Sequence, residues 1–242
     1  MINATAHVHG EASGFEFRAL AEAVNYRRRL VEAFAPWIGG HVLEVGAGVG
    51  QITSVLKQCS ALEKLVAVEP NLDFAAEFRT HAPDVELING TVEAVGADRA
   101  WDAIVSVNVL EHIEGDDAEL QRYRQLLKQG TGALCLFVPA RPEIYAPIDK
   151  DLGHFRRYTR NGLRRKLTRA GFAIKRLRYF NMVGYFAWWW TFCLLKRRSF
   201  NVGAVRFFDR RIFPLASQIE RWLHPPLGQS LLAVAAPVQP DQ

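Results

Sequence analysis

A glycine-rich turn follows an apolar run and precedes a helical pattern in the first quarter of the chain. The sequence from residue 42 to residue 50 is VLEVGAGVG. Glycine lets the backbone approach a ligand closely, because a side chain there would block it, and the N-terminus of a following helix offers free amide donors. A strand, a glycine turn and a helix in this order predict a site for a nucleotide-type ligand.

A carboxylate ends the next apolar run. Glu69 closes the sequence LVAVE and stands 23 residues after Gly46. A carboxylate at the end of the second strand of such a unit accepts both hydroxyl protons of a ribose. Nicotinamide enzymes have the spacing GxGxxG, whereas this chain has GxGxG with Glu44 two residues before it. A plain glycine turn with a surface glutamate is the alternative interpretation.

His112 is the candidate for proton transfer. It leaves the carboxyl end of a predicted central parallel strand, where ligands bind in such sheets, and imidazole titrates near neutral pH. We therefore expect a general base, or a residue that only hydrogen-bonds a loop or the ligand. The acids between residues 111 and 117 favour the start of a helix, where carboxylates interact favourably with the helix dipole. We therefore expect no metal.

The elements that must position these residues alternate along the chain. Short β-rich runs alternate with amphipathic stretches from residue 41 onward, which indicates an α/β fold with a parallel sheet. The predicted strands are 41–45, 64–68, 85–89, 101–107, 133–138, 172–179 and 230–234. The predicted helices are 15–34, 51–58, 72–81, 117–128 and 160–170.

Length and composition exclude several classes of protein. A chain of 242 residues with 49% hydrophobic and 23% charged content suits one globular domain. Cys59, Cys135 and Cys193 are scattered, which supports neither a disulfide framework nor a structural zinc site. The first 14 residues show no secretory signal, so we expect a cytoplasmic protein.

The basic residues concentrate in the C-terminal third. Residues 150–211 contain 17 lysines and arginines but only two acids, Asp151 and Asp209, while the rest of the chain is net negative. This distribution suggests contact with an anionic substrate, a membrane surface or a nucleic acid. A solvated basic helix face explains it equally well.

Three motifs in this order resemble class I S-adenosylmethionine-dependent methyltransferases: LEVGAGVG, the strand end VEP, and WDAIVSVNVLEHIEGD. The resemblance covers residues 42–138. The later sequences GHFRRYTRNGLRRKLTRAGF and PPLGQSLLAVA resemble a bacterial branch of the superfamily whose acceptors are mostly undefined. The implied fold is a doubly wound, mostly parallel, seven-stranded Rossmann-like sheet with an antiparallel last strand. We divide this single domain, 1–242, into an N-terminal helical lid (1–40), a cofactor-binding core (41–138) and a substrate-side part (139–242).

The resemblance implies S-adenosylmethionine as cofactor and S-adenosylhomocysteine as product. The glycine turn would line the methionine and ribose part, Glu44 would hold the amino acid end, and Asn108 would lie beside the sulfonium. Thr91 stands where many relatives have an adenine-binding aspartate. The candidates for the adenine contact are therefore Thr91, Val92 and Glu93. The implied cofactor-binding residues are Glu44, Gly46, Ala47, Gly48, Gly50, Glu69, Pro70, Asn71, Thr91, Val92, Glu93 and Asn108.

Two connections are expected to cover the cofactor face, residues 139–158 and a helical insertion at 181–228. Arginine in the first suits a carboxylate or phosphate, or else begins the solvated face of the next helix. The N-terminal helix is a further candidate because family members use it as a lid. The candidate substrate-binding residues are Tyr26, Tyr145, His154, Arg157 and Tyr158.

The insertion contains the apolar run MVGYFAWWWTFCLL followed by KRR. Its 14 uncharged residues fall short of the roughly 20 that a membrane-spanning helix needs. We keep three interpretations open. The run is a cap helix buried against the sheet or a partner subunit, a wall for a lipophilic acceptor, or an interfacial helix at the inner face of the membrane.

We expect a methyltransferase for a small molecule, one that is lipophilic and carries an anionic group. A nucleic-acid methyltransferase is the alternative, but the segment after the fourth strand has neither an NPPY-like sequence nor a cysteine, so nucleic acid is not an expected partner. A non-catalytic cofactor-binding scaffold is another alternative, and the glycine spacing argues against a nicotinamide dehydrogenase. Peripheral membrane contact and a dimer are both compatible with the sequence.

Overall fold

Seven strands form one sheet in the computed structural model, which describes residues 21–96 and 99–238. The strands are β1 (Gly40–Val45), β2 (Leu62–Glu69), β3 (Glu86–Asn89), β4 (Ala103–Val107), β5 (Ala133–Pro139), β6 (Phe172–Phe180) and β7 (Ser230–Pro237). Their order is β3-β2-β1-β4-β5-β7-β6. Strands β1 to β5 pair in parallel, and β7 is antiparallel to both neighbours. The predicted fold class is confirmed, including the direction of the last strand.

The strand order reverses between β1 and β4, because the chain adds β2 and β3 on one side of β1 before it crosses to β4. Loops leaving the carboxyl ends of β1 and β4 therefore diverge and leave a crevice, which is where open α/β sheets bind ligands. Both chemically interesting segments of the sequence, the glycine turn and the segment around His112, leave the sheet at this point.

Nine helices are labelled here among the described residues: α1 (Val24–Phe34), α2 (Thr53–Leu56), α3 (Leu72–His81), α4 (Asp116–Leu126), α5 (Pro147–Asp151), α6 (Arg160–Arg169), α7 (Met182–Trp188), α8 (Val202–Phe207) and α9 (Phe213–Leu223). The π-helical segments Trp189–Leu194 and Phe208–Ile212 continue α7 and α8. No helix in the described ranges is long and apolar enough to cross a membrane.

Apolar side chains fill both faces of the sheet, which explains why the strands read as continuous apolar runs. Leu43 and Leu120 belong to the cluster on one face, together with residues of α4 and α6. Val42 and Phe34 belong to the cluster on the other face, together with α1 and the start of α9. Neighbouring strand residues thus alternate between two cores, as side chains in a strand must.

Element ends differ from the sequence prediction in a few places. The helix predicted at 51–58 is reduced to Thr53–Leu56, and Trp101 lies outside β4, in an isolated bridge to Leu127. The helix predicted at 15–34 is described from Val24 onward, and the prediction for residues 15–20 lies outside the described residues. The predicted insertion before the last strand is helical and contains α7, α8 and α9.

The insertion caps the N-terminus of α1 from a distance. Ala23 occupies the N-cap position and has no side chain that could accept a hydrogen bond. The carboxylate of Asp209 instead accepts from the amides of Asn25 and Tyr26, at 3.0 and 2.9 Å. These two N–H groups are among the unsatisfied donors of the first helical turn. A contact between segments 184 residues apart therefore holds α1 over the crevice.

Candidate active site

The turn after β1 has a backbone that requires glycine. Gly46, Gly48 and Gly50 have φ values of 71°, 54° and 85°, a region that side chains other than glycine rarely adopt. A Cβ atom on Gly46 would also collide with the side chain of Val109 from the loop after β4. The turn thus brings bare backbone to the crevice.

Glu69 ends β2 beside this turn and is buried. Its two carboxylate oxygens accept from the backbone amides of Gly48 and Asn71, both at 2.8 Å. Burial raises the pKa of Glu69, and these two hydrogen bonds oppose the shift. The carboxylate is therefore held in a fixed orientation, and each oxygen retains lone pairs that can accept from a ribose.

A cavity of about 480 Å³ opens at the carboxyl ends of β1, β2 and β4, below α1. Nine of the residues singled out in the sequence line it: Gly46, Ala47, Glu69, Pro70, Thr91, Val92, Glu93, Asn108 and His112. Tyr26, a candidate for the substrate, lines it as well. Gln51, Ile52 and Phe74 also belong to the lining, although no motif marks them. Eight of the twelve predicted cofactor residues therefore surround one space.

The other four predicted cofactor residues, Glu44, Gly48, Gly50 and Asn71, do not belong to this lining. Asn71 is the N-cap of α3 and accepts from the amides of Asp73 and Phe74. Glu44 is buried in β1 and accepts a hydrogen bond of 2.6 Å from the Thr53 hydroxyl. The pKa of Glu44 is raised to about 8, chiefly by burial and in addition by the nearby charge of Glu69, while the Thr53 hydrogen bond opposes the shift.

A second cavity, of about 430 Å³, adjoins the first. Tyr26 and Asn108 line both, so they mark the boundary between the two spaces. Asn108 has a φ of 54° directly after β4 and is thereby turned away from the strand direction. Five aromatic residues of the insertion contribute to the walls of the second cavity: Trp188, Phe192, Phe200, Phe207 and Phe208.

Two of the predicted substrate residues from the connection after β5 line this second cavity, His154 and Arg157. Tyr145 and Tyr158 do not belong to its lining. The Tyr145 hydroxyl donates to the backbone oxygen of His154 at 2.7 Å. The Tyr158 hydroxyl donates to Leu110 O and Asp116 Oδ2, at 3.1 and 2.9 Å. Both tyrosines thus support the loops that carry the site.

Asp149 organises the polar end of the second cavity. It is fully buried, and its Oδ1 lies 2.9 Å from His154 Nδ1 and 2.8 Å from Arg157 Nε. The sequence places these residues within one loop but does not reveal this pairing. Asn181 and Gln229 also line the cavity and hydrogen-bond each other at 2.9 Å. They belong to the two ends of the insertion, which no sequence pattern connects.

His112 lies at the junction of the two cavities. Its ring contacts the ring of His154 edge-on, with a centroid distance of 4.8 Å. The acids that follow it in sequence have separate partners: Asp116 lies 2.9 Å from Arg156 Nη1 and 2.7 Å from Lys166 Nζ. A general base and a positioning residue are both compatible with the place of His112.

The strand order, the glycine turn and the carboxylate of Glu69 at the end of β2 define a class I methyltransferase. The family model described as a methyltransferase domain matches residues 16–177, and the chain belongs to this family. A curated relative, the ubiquinone biosynthesis O-methyltransferase of Ruegeria sp. (strain TM1040), is 29% identical over 118 residues. That match covers 46% of this chain and 47% of the relative, so the chain spans about half of it.

Solved structures show the same fold at low sequence identity. The complex of DhpI with SAH has a TM-score of 0.62 and 17% identity, covering 97% of this chain and 95% of that chain. An S-adenosylmethionine-dependent methyltransferase from Clostridium acetobutylicum ATCC 824 has a TM-score of 0.57 and 10% identity, covering 89% and 92%. The family match confirms the resemblance seen in the sequence, and these neighbours show that the fold is shared.

Proposed function

We propose that this methyltransferase transfers a methyl group from S-adenosylmethionine to a small lipophilic acceptor that carries an anionic group. The observation that carries the proposal is the pair of adjoining cavities, one with the cofactor motif and one with aromatic walls. Tyr26 and Asn108 form their common boundary, where a methyl group has to pass. When bound, the cofactor supplies an activated methyl group, so the protein chiefly aligns the acceptor.

The first cavity fits the cofactor. The backbone of the glycine turn reaches the crevice without side chains, and Glu69 lies where ribose hydroxyls need an acceptor. Glu44, which is buried two residues before the glycine turn with its pKa raised to about 8, is the candidate for the end of the cofactor that carries the amino group. Thr91, Val92 and Glu93 also line the first cavity and are the candidates for the adenine contact.

The second cavity fits a lipophilic acceptor. Five aromatic side chains form its walls, and burial of apolar ligand surface against them stabilises a complex by about 25 cal/mol per Å². Arg157 is already engaged by Asp149, whereas Arg197 lies exposed at the lining. We therefore assign the anionic group of the acceptor to Arg197. The name of the Ruegeria relative, an O-methyltransferase, supports an oxygen atom as the acceptor.

We further propose that the insertion contacts an anionic membrane surface. Several of its apolar side chains are exposed: Phe186, Trp190, Phe207, Trp222 and Leu223. Arg221 and His224 flank two of them and line a basic cavity of about 420 Å³ with Arg29, Arg176 and Arg178. Trp residues beside basic groups are typical of interfacial helices, and a membrane would be a direct source of lipophilic acceptors.

Calorimetric titration with S-adenosylmethionine, S-adenosylhomocysteine and NAD tests the cofactor. We expect binding of the first two in the micromolar range and none of NAD. Binding of NAD alone would contradict the proposal, and binding of none would favour a scaffold without catalysis.

A panel of hydroxylated aromatic acids, with and without an alkyl tail, tests the acceptor by mass spectrometry of the methylated product. We expect the tailed acids to be preferred and Phe192→Ala to reduce that preference. Arg197→Gln should raise KM for the acids but not for their esters, and equal KM changes for both would contradict the role of Arg197.

A further inference from the structure

We propose that Glu111, His112 and His154 form a site for one divalent transition-metal ion between the two cavities. Each of the three offers one ligand atom, and these atoms all lie within 4.8 Å of one another. Metal bonds to imidazole nitrogen and carboxylate oxygen measure about 2.0–2.2 Å, so two ligands of one ion are at most about 4.4 Å apart. The spacing of the three atoms exceeds that range by at most about 0.4 Å.

Two separate segments supply the ligands, and the backbone fixes them together. Glu111 and His112 come from the 3-10 turn after β4, and His154 comes from the loop between α5 and α6. The amide of Phe155 donates to the backbone oxygen of Glu111 at 2.8 Å. The sequence predicted no metal because the acids between residues 111 and 117 were assigned to the start of a helix. The fold adds a second histidine from elsewhere.

Asp149 orients the His154 ring for metal binding. Because Nδ1 of His154 lies 2.9 Å from the carboxylate of Asp149, the remaining nitrogen, Nε2, is the one that can bind a metal. Arg157 donates to the same oxygen of Asp149 and fixes the carboxylate in turn. Histidine ligands in metal sites typically have such a carboxylate on their second nitrogen, which sets the tautomer and strengthens the ligand.

The donor set of the cluster favours a transition metal. Glu111 is a fully buried carboxylate, and Asp149 and Arg157 form a buried ion pair beside His154. Two imidazoles with one carboxylate suit zinc or iron better than magnesium or calcium, which prefer oxygen ligands.

The place of the site gives the ion a role, and this role rests on the proposed function. His112 lines the first cavity, whereas Glu111 and His154 line the second. An open coordination position would take the hydroxyl oxygen of the acceptor and lower its pKa. The hydroxyl proton then leaves to water, the oxygen lone pair forms the bond to the methyl carbon, and the electrons of the broken carbon–sulfur bond remain on sulfur.

Zinc binding to the chelator-treated full chain tests the site. We expect one zinc per chain by elemental analysis and calorimetry, with a rise in Tm. Cobalt, used as a spectroscopic substitute, should give visible absorption bands that zinc displaces. His154→Ala and Glu111→Gln should each weaken zinc binding at least tenfold, and Asp149→Asn about 10–100-fold. His81→Ala, at the exposed end of α3, is the matched control and should bind zinc like the unaltered chain.

Two results would overturn the metal site. One is a zinc content well below one per chain, with no cobalt bands, in protein that still binds S-adenosylmethionine. The other is an equal loss of zinc affinity in His81→Ala and His154→Ala. Zinc binding by a chain that binds neither S-adenosylmethionine nor S-adenosylhomocysteine would instead contradict the proposed function alone. Circular dichroism of each variant separates loss of metal from loss of fold.

Discussion

The cofactor turn depends on a residue whose backbone conformation is restricted to glycine. Gly48 has a φ of 54°, and its amide donates to Glu69 at 2.8 Å. A β-branched side chain there both strains the backbone and pushes the turn away from Glu69. We therefore expect Gly48→Val to weaken S-adenosylmethionine binding at least 100-fold in calorimetry, while unfolding stays cooperative.

Gly115 offers a matched control for this change. A Cβ at Gly115 meets nothing within 4 Å, and its φ of −90° is ordinary. Gly115→Ala should leave cofactor affinity within twofold of the unaltered chain. Cofactor affinity unchanged in Gly48→Val would remove the glycine turn from the binding site.

Glu44 makes stability depend on pH in a direction that can be measured. Burial raises its pKa from 4.5 to about 8, so the folded chain holds a proton that the unfolded chain releases. The stabilisation by this proton is present below pH 4.5 and is lost as the pH rises towards 8. Glu44→Gln mimics the protonated acid and should flatten this dependence.

Urea unfolding at pH 5, 6, 7 and 8 measures the effect. We expect the free energy of unfolding of the unaltered chain to fall over this range, with a share on the order of a few kcal/mol from Glu44. The free energy of unfolding of Glu44→Gln should fall less over the same range. Equal slopes for the two proteins would mean that the pKa of Glu44 is the same in the folded and the unfolded chain.

At the level of elements, α1 depends on Asp209 for its first turn. The carboxylate replaces the missing cap of Ala23, and N-terminal caps contribute about 1 kcal/mol. Asp209→Ala should lower the free energy of unfolding by about 1–2 kcal/mol and increase hydrogen exchange in α1. Because Tyr26 on α1 lines both cavities, cofactor affinity should fall as well.

A more conservative change separates charge from geometry in this cap. Asp209→Asn keeps one acceptor oxygen and should lose about half of the effect. Exchange in α1 that does not change in either variant would show that the helix is held by its apolar face alone.

The same elements show how far the sequence reaches. Apolar runs and glycines predicted all seven strands, because buried parallel strands leave a strong local signal. The caps by Asp209 and Glu220, which accepts from the amides of Asn181 and Met182, leave no such signal. They join segments distant in the chain, as does the approach of His154 to His112. Most of the lining of the first cavity was therefore predictable from motifs, whereas the pairings that shape the second cavity were not.

At the level of the whole molecule, the proposed membrane surface combines exposed apolar side chains of the insertion with the basic cavity beside them. Trp222 is 85% exposed on α9, next to the basic cavity. Within that cavity, burial lowers the pKa of Arg178, and the charges of Arg29 and Arg176 lower it further. Arg178 Nε is buried and has no hydrogen-bond partner among the described residues. An anionic headgroup would relieve this repulsion.

Vesicle sedimentation tests this surface. We expect the full chain to bind vesicles with anionic lipid and to dissociate at high salt, since surface charges are screened beyond about 8 Å at physiological ionic strength. Trp222→Ser with Leu223→Ser should reduce binding at least fivefold, and Arg178→Gln should reduce it only for anionic vesicles. Leu72→Ser removes an equally exposed leucine from α3 and should change nothing. Absence of vesicle binding, together with a dimer that Trp222→Ser dissociates, would instead assign the surface to a second copy of the chain.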